Sequence, residues 1–214
     1  MFLGGLQELV REFYALELAH DVRDFLTTDA RLASQIDSEG RPADEKLLIE
    51  EHGGEASVCL YLDAELVGRL EQDDPLARLH SANLEDYLTA LEGVSHFVYY
   101  AWNAARDKAV TLLEMELQAE VDKFVTTTLL LKRQGERPPQ ALHRLLFDVP
   151  RLDPRLGDDE IDRYRQANRY AAKYCAQLAP ELSEASAAAQ VQRELRRFYR
   201  LPQAGKMEHI DARQ

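Results

Sequence analysis

The chain has 214 residues, 45% of them hydrophobic, enough to bury a real core in one domain without disulfide staples. Its net charge is −12, unevenly spread: residues 1–150 carry 14 Lys/Arg against 28 Asp/Glu, and residues 151–214 carry 12 against 10. An acidic body repels phosphate backbones, so nucleic-acid binding by the whole surface is disfavoured, and with no uncharged run of about 18 residues no membrane-spanning helix is expected. Residues 1–9 lack a basic region followed by an apolar run, and Cys59 and Cys175 lie far apart. A cytoplasmic protein with two free thiols is the expectation.

In chain order, residues 1–37 form an N-terminal helical segment: Leu6, Leu9, Val10, Phe13 and Leu16 recur at helical spacing, and a second register at Val22, Phe25 and Leu26 implies a break near His20 and Asp21. Ser38 to Pro42 reads as a loop. Over residues 45–71 the period changes, with alternating Leu47 and Ile49, a turn at His52 to Glu55, alternating Val58, Leu60 and Leu62, and a second turn at Asp63 to Glu65 before Leu66 and Val67. This predicts a small antiparallel β-meander of two or three strands, which must lay one face on helices.

Residues 83–133 predict a central helical hairpin. Asn83 is placed to cap a helix whose apolar stripe is Leu84, Leu88, Leu91, Val94, Val98 and Trp102; after the polar break at Arg106 to Lys108, Thr111 and Glu114 fit a capping box for the next helix. Residues 138–200 predict C-terminal helices: a short one near Ala141 to Phe147, irregular chain through Pro154, one capped by Asp158 and running to about Leu178, and one from Ser183 to Tyr199. Residues 203–214 read as a loose tail. The fold class expected is mainly α (α+β), six or seven helices with the meander near the N-terminal third, as a single domain over 1–214.

Two groups of residues invite a function. In the hairpin, Glu92 and His96 share a helix face that Asn103 continues, while Glu116 and Glu120 sit on the next helix, Glu120 within its apolar line. Imidazole and carboxylates suit Zn, Fe or Mn, and helical bundles build such sites from inward residues. Against this, the di-iron bundle pattern is Glu-x-x-His repeated on two helices, whereas here the spacing is Glu-x-x-x-His and occurs once. The plainer reading is a polar pair on a partly wet face, with Glu120 accepting a hydrogen bond from a tyrosine or paired to a basic residue. The second group is Arg165, Arg169, Tyr170, Lys173, Arg193, Arg196, Arg197 and Arg200, arginines interleaved with aromatics that can stack on bases, or serve as a solvated face against the acidic body.

Neither cysteine resembles an activated thiol, and no Gly-x-Ser-x-Gly, P-loop or dinucleotide fingerprint occurs. The first expectation is therefore a non-enzymatic protein that binds a protein partner or itself, needing no cofactor. The alternative is a metal-dependent enzyme or sensor using a divalent metal at the Glu/His cluster, and the third is nucleic-acid binding by the C-terminal helices. Convergence of Glu92, His96 and Glu120 within about 5 Å around a cavity would favour the alternative.

Overall fold

The computed structural model describes residues 2–37, 43–53, 55–139, 141–148 and 157–213. Among these, nine α-helices and a three-stranded sheet make a mainly α fold, 68% helical, with the sheet near the N-terminal third. The expected loop at Ser38 to Pro42 and the irregular chain from Val149 to Pro154 lie outside the described residues. The first helix, α1 (Phe2–Tyr14), buries Leu6, Leu9, Val10 and Phe13 and stops where Ala15 takes φ 50°, so the break comes earlier than its predicted place at His20. A 3₁₀ turn at Val22–Phe25 and α2 (Ala30–Ile36), capped by Asp29, complete this segment.

The sheet differs from an antiparallel meander. Strands β2 (Glu45–His52) and β3 (Glu55–Leu62) do form an antiparallel hairpin, turning through Gly53 at φ +60°. The third strand, β1 (Leu26–Thr27), comes from the N-terminal segment and pairs parallel to β3, giving the mixed order β1-β3-β2. Leu66 and Val67 are not a strand: the Asp63 side chain accepts hydrogen bonds from the Glu65 and Leu66 amides, and α3 (Ala64–Gln72) follows with Leu66 and Leu70 buried four apart. What reads as a turn before a strand is an N-cap before a helix.

The central pair is α4 (Leu84–Ala104) and α5 (Leu112–Arg133). Asn83 does not cap α4 with its side chain; its Oδ1 accepts from the His80 amide at 2.9 Å and its Nδ2 donates to the Arg78 carbonyl at 2.9 Å, tying the preceding loop instead. Thr111 does cap α5, accepting from the Glu114 amide at 3.1 Å, but the Glu114 carboxylate does not close the capping box, because the Tyr99 hydroxyl donates to it from α4. Next come α6 (Leu142–Phe147) and α7 (Asp158–Ser183). Gly157, not Asp158, is the residue before α7, its amide bonded by Glu160 Oε2 at 2.9 Å, and the helix runs through Pro180 to Ser183, which ends it rather than starting the next. After a 3₁₀ turn, α8 (Ala188–Tyr199) buries Val191, Leu195 and Phe198 as its pattern predicts.

The expected loose tail is α9 (Gln203–Ala212), folded back onto the body with Lys206 and Ile210 buried. With α3 it raises the helix count above seven. Cys59 and Cys175 are free thiols, and burial pushes both up from the ordinary thiol value. Among the described residues no helix is long and apolar enough to cross a membrane.

Candidate metal centre

Packing α4 against α5 aligns two polar stripes on different sides of the pair. One consists of Glu92 and His96 on α4 with Glu116, Glu120 and Lys123 on α5; the other of Ser95 and Tyr99 on α4 with Glu114, Gln118 and Asp122 on α5. Each follows the spacing of three or four residues that keeps side chains on one helix face.

In the first stripe one ligand atom each from Glu92, His96 and Glu116 lies within 4.8 Å of the other two. His96 Nε2 is 3.5 Å from Glu116 Oε2, and its Nδ1 is 3.5 Å from Oε1 of Glu45, which reaches across from β2. These separations are long for hydrogen bonds: His96 Nε2 and Glu45 Oε1 are both buried with no hydrogen-bond partner. A spacing of 3.5 Å is close to the roughly 3.3 Å between ligand atoms in a tetrahedral site with bonds of about 2.0 Å. Glu120 lies outside this trio and pairs with Lys123, whose Nζ is 2.8 Å from Glu120 Oε1 and 2.7 Å from Glu92 Oε2. The sheet can approach α4 so closely because residue 93 is glycine: a Cβ there would stand 2.8 Å from Glu45 Cγ and 2.8 Å from Leu60 Cδ1.

Charge in this stripe does not balance. Four carboxylates, Glu45, Glu92, Glu116 and Glu120, face one lysine and one imidazole, all with side chains less than a quarter exposed. The titrating groups respond accordingly. Burial opposes a charge on His96, yet Glu116 and Glu45 on either side raise it well above the ordinary imidazole value. Burial raises Glu45 and Glu120 despite His96 and Lys123 beside them. Glu92, for which burial is outweighed by Lys123 and His96, stays below the usual carboxylate range. Burying this excess negative charge is costly unless a cation or protons join it. Tyr164 of α7 lies near the group: burial raises its phenol, and Glu116, Glu92 and Glu45 push it further.

The second stripe shows how the same fold balances carboxylates when the cation is its own. Asp122 accepts hydrogen bonds from Tyr14, from Ser95 at 2.5 Å and from Gln118 at 2.8 Å, while burial still pushes its carboxyl up to about 6. Lys206 of α9 is inserted here, donating to Gln118 Oε1 at 2.7 Å. Asn103 is at the end of this region, its Nδ2 donating to the Tyr99 carbonyl of its own helix at 2.8 Å.

Several of the basic and aromatic residues are engaged within the chain. Arg165 lies near Asp162 at 3.9 Å, Arg169 sits over Tyr170, and Lys173 pairs with Asp211 of α9 at 2.7 Å. Arg193 and Arg197 are exposed, Arg196 is half-buried, and Arg200 donates to the carbonyls of Tyr14 and Ala15 at 3.1 Å, where α1 ends. Glu45 and Lys206 were not singled out in the sequence. Alternation puts Glu45 in a strand, but no pattern shows that this strand crosses His96. The chain matches no family model, no curated protein and no solved structure.

Proposed function

We propose that the α4/α5 pair binds one divalent transition-metal ion through Glu92, His96 and Glu116, and that the protein is a metal-dependent enzyme or sensor. The observation that carries this reading is the buried His96 Nε2 without a hydrogen-bond partner, 3.5 Å from Glu116 Oε2, inside a group with more carboxylates than cations. A bound ion would displace the proton that Glu116 and Glu45 otherwise hold on His96, and Glu45, with Oε1 3.5 Å from Nδ1, is placed to take up the remaining ring N–H, as carboxylates do behind metal-bound histidines. Imidazole with carboxylate oxygens suits Zn, Mn or Fe(II). Three protein ligands leave a coordination position open, the arrangement of catalytic rather than closed structural sites. A cytoplasmic location belongs to the same reading, supported by the two free thiols.

Titration of chelator-treated protein with Zn, Mn and Fe(II) tests this. One ion per chain, with affinity lost in His96→Ala and Glu116→Gln, is the expected result; no stoichiometric binding of any of the three ends the proposal. A second reading, binding of a protein partner or self-association, draws support from Leu32 and Ile36, four residues apart on α2 and 43% and 40% exposed. Light scattering at several salt concentrations tests it, and a strict monomer that also retains no partner counts against it. Nucleic-acid binding draws the least support, because Lys173 and Arg200 are engaged within the chain.

A further inference from the structure

The polar stripe that carries the proposed metal centre has two levels. Glu92 and His96 are four residues apart on α4, and Glu116 and Glu120 four apart on α5, so each helix offers one group at each of two heights separated by about 6 Å, roughly one turn. At the first height His96 meets Glu116, with Nε2 buried, unpartnered and 3.5 Å from Oε2. At the second height the ammonium of Lys123 stands between Glu92 and Glu120, its Nζ 2.7 Å from Glu92 Oε2 and 2.8 Å from Glu120 Oε1. Lys123 comes from α5 itself, three residues after Glu120, and only 13% of its side chain is exposed. Glu92 belongs to both heights: it bonds Lys123, and it brings a carboxylate oxygen within 4.8 Å of ligand atoms of His96 and Glu116.

An ammonium and a divalent ion ask the same thing of two carboxylates, which is to turn an oxygen each onto one positive centre. They differ in reach, roughly 2.8 Å for the ammonium against about 2.0 to 2.2 Å for a metal–oxygen bond. Helical bundles that hold two ions do so with carboxylates from facing helices beside a Glu/His pair. Here the chain's own side chain stands in one of the two places.

Taking Glu92, His96 and Glu116 as a metal centre, we propose that Lys123 is the residue that limits this centre to one ion: its ammonium fills the second cation position of the stripe, between Glu92 and Glu120, and shares Glu92 with the metal. Charge points the same way. With Lys123 in place, one divalent ion brings the positive charges to three, against the four carboxylates of Glu45, Glu92, Glu116 and Glu120. Without Lys123 the same ion leaves Glu92 and Glu120 side by side with no cation between them, a costly arrangement away from water. A second ion then finds both a place and a charge to meet. An ion pair that merely staples α4 to α5 would change stability when removed and leave the number of bound ions unaltered.

Equilibrium dialysis of chelator-treated chains against excess Zn or Mn(II), read as ions per chain, tests the proposal. The expected counts are one for the wild-type chain, two for Lys123→Ala, one again for Lys123→Ala combined with Glu120→Gln, and one for Lys123→Arg, which keeps the charge. Two ions in the wild-type chain overturn the proposal. One ion in both the wild-type chain and Lys123→Ala also overturns it, while leaving the metal centre standing; no ion in either ends the metal centre and this inference together. Should Lys123→Ala not fold, even when refolded with the ion present, the NMR signal of the Lys123 ammonium in the wild-type chain decides. Its retention after one Zn is bound supports the shared Glu92, and its loss to solvent exchange on loading shows the ion displacing the lysine and overturns the proposal.

Discussion

Asp122 has no exposed surface and satisfies its oxygens with Tyr14, Ser95 and Gln118, yet burial still lifts its carboxyl to about 6 from an ordinary 3.8. Between those values the folded state binds more protons than the unfolded chain, so stability falls as pH rises through the window and is flat above it; two units correspond to roughly 3 kcal/mol. Asp122→Asn should remove that slope. Urea unfolding of both proteins at about pH 4 and about pH 7 reads it, and an unchanged difference between them refutes the assignment. At Gly93 the prediction is steric: Gly93→Ala brings a Cβ to 2.8 Å from Glu45 and Leu60 and should cost about 1 to 3 kcal/mol in denaturant melts, while displacing Glu45 from His96. At this scale the site was partly legible. Glu92, His96, Glu116 and Glu120 stood out because charged side chains on a helix face otherwise rich in Leu and Val need partners. Glu45 did not, because strand alternation says nothing about which helix a strand crosses. Asn103 was grouped with His96 by a spacing of seven residues, but it turns to the carbonyl of Tyr99 on its own helix.

At the scale of elements, α4 and α5 were readable since long apolar stripes at helical spacing have few alternatives, and the cap at Thr111 marks where the second begins. Thr111→Ala should lower stability by about 1 kcal/mol, seen as a lower melting temperature with helix content retained, since Glu114 keeps its bond from Tyr99. The misread elements are short. Over Leu66 to Leu70 the apolar residues fit either a strand or a helix turn, and only the Asp63 carboxylate bonding the Glu65 and Leu66 amides decides. Residues after Pro202 read as a tail because a helix bearing one lysine and one isoleucine inward has almost no apolar stripe; Lys206 gains its place from a seat built by α5 and α8, which no local pattern records. Strand β1 was missed for a similar reason, as two residues carry no period.

Across the whole molecule, the near-neutral C-terminal part packs on the acidic body chiefly where α7 lies on α5, the second helix of the α4/α5 pair. On one side of that pair the chain supplies its own cation, Lys206; on the other, Lys123 and His96 leave a surplus of carboxylates. A divalent ion at Glu92, His96 and Glu116 would relieve that surplus and tie the helix pair to the sheet through Glu45, linking the N-terminal third to the hairpin. The most direct test is thermal unfolding of chelator-treated protein with and without Zn, Mn or Fe(II), alongside bound-metal analysis. At a free ion concentration about a hundred times the dissociation constant, binding contributes about 2.7 kcal/mol, a rise in melting temperature of roughly 5 to 10 °C for a chain of this size. One ion per chain and such a rise, both abolished in His96→Ala, is the predicted result; an unchanged melting temperature and no bound metal with all three ions would contradict it.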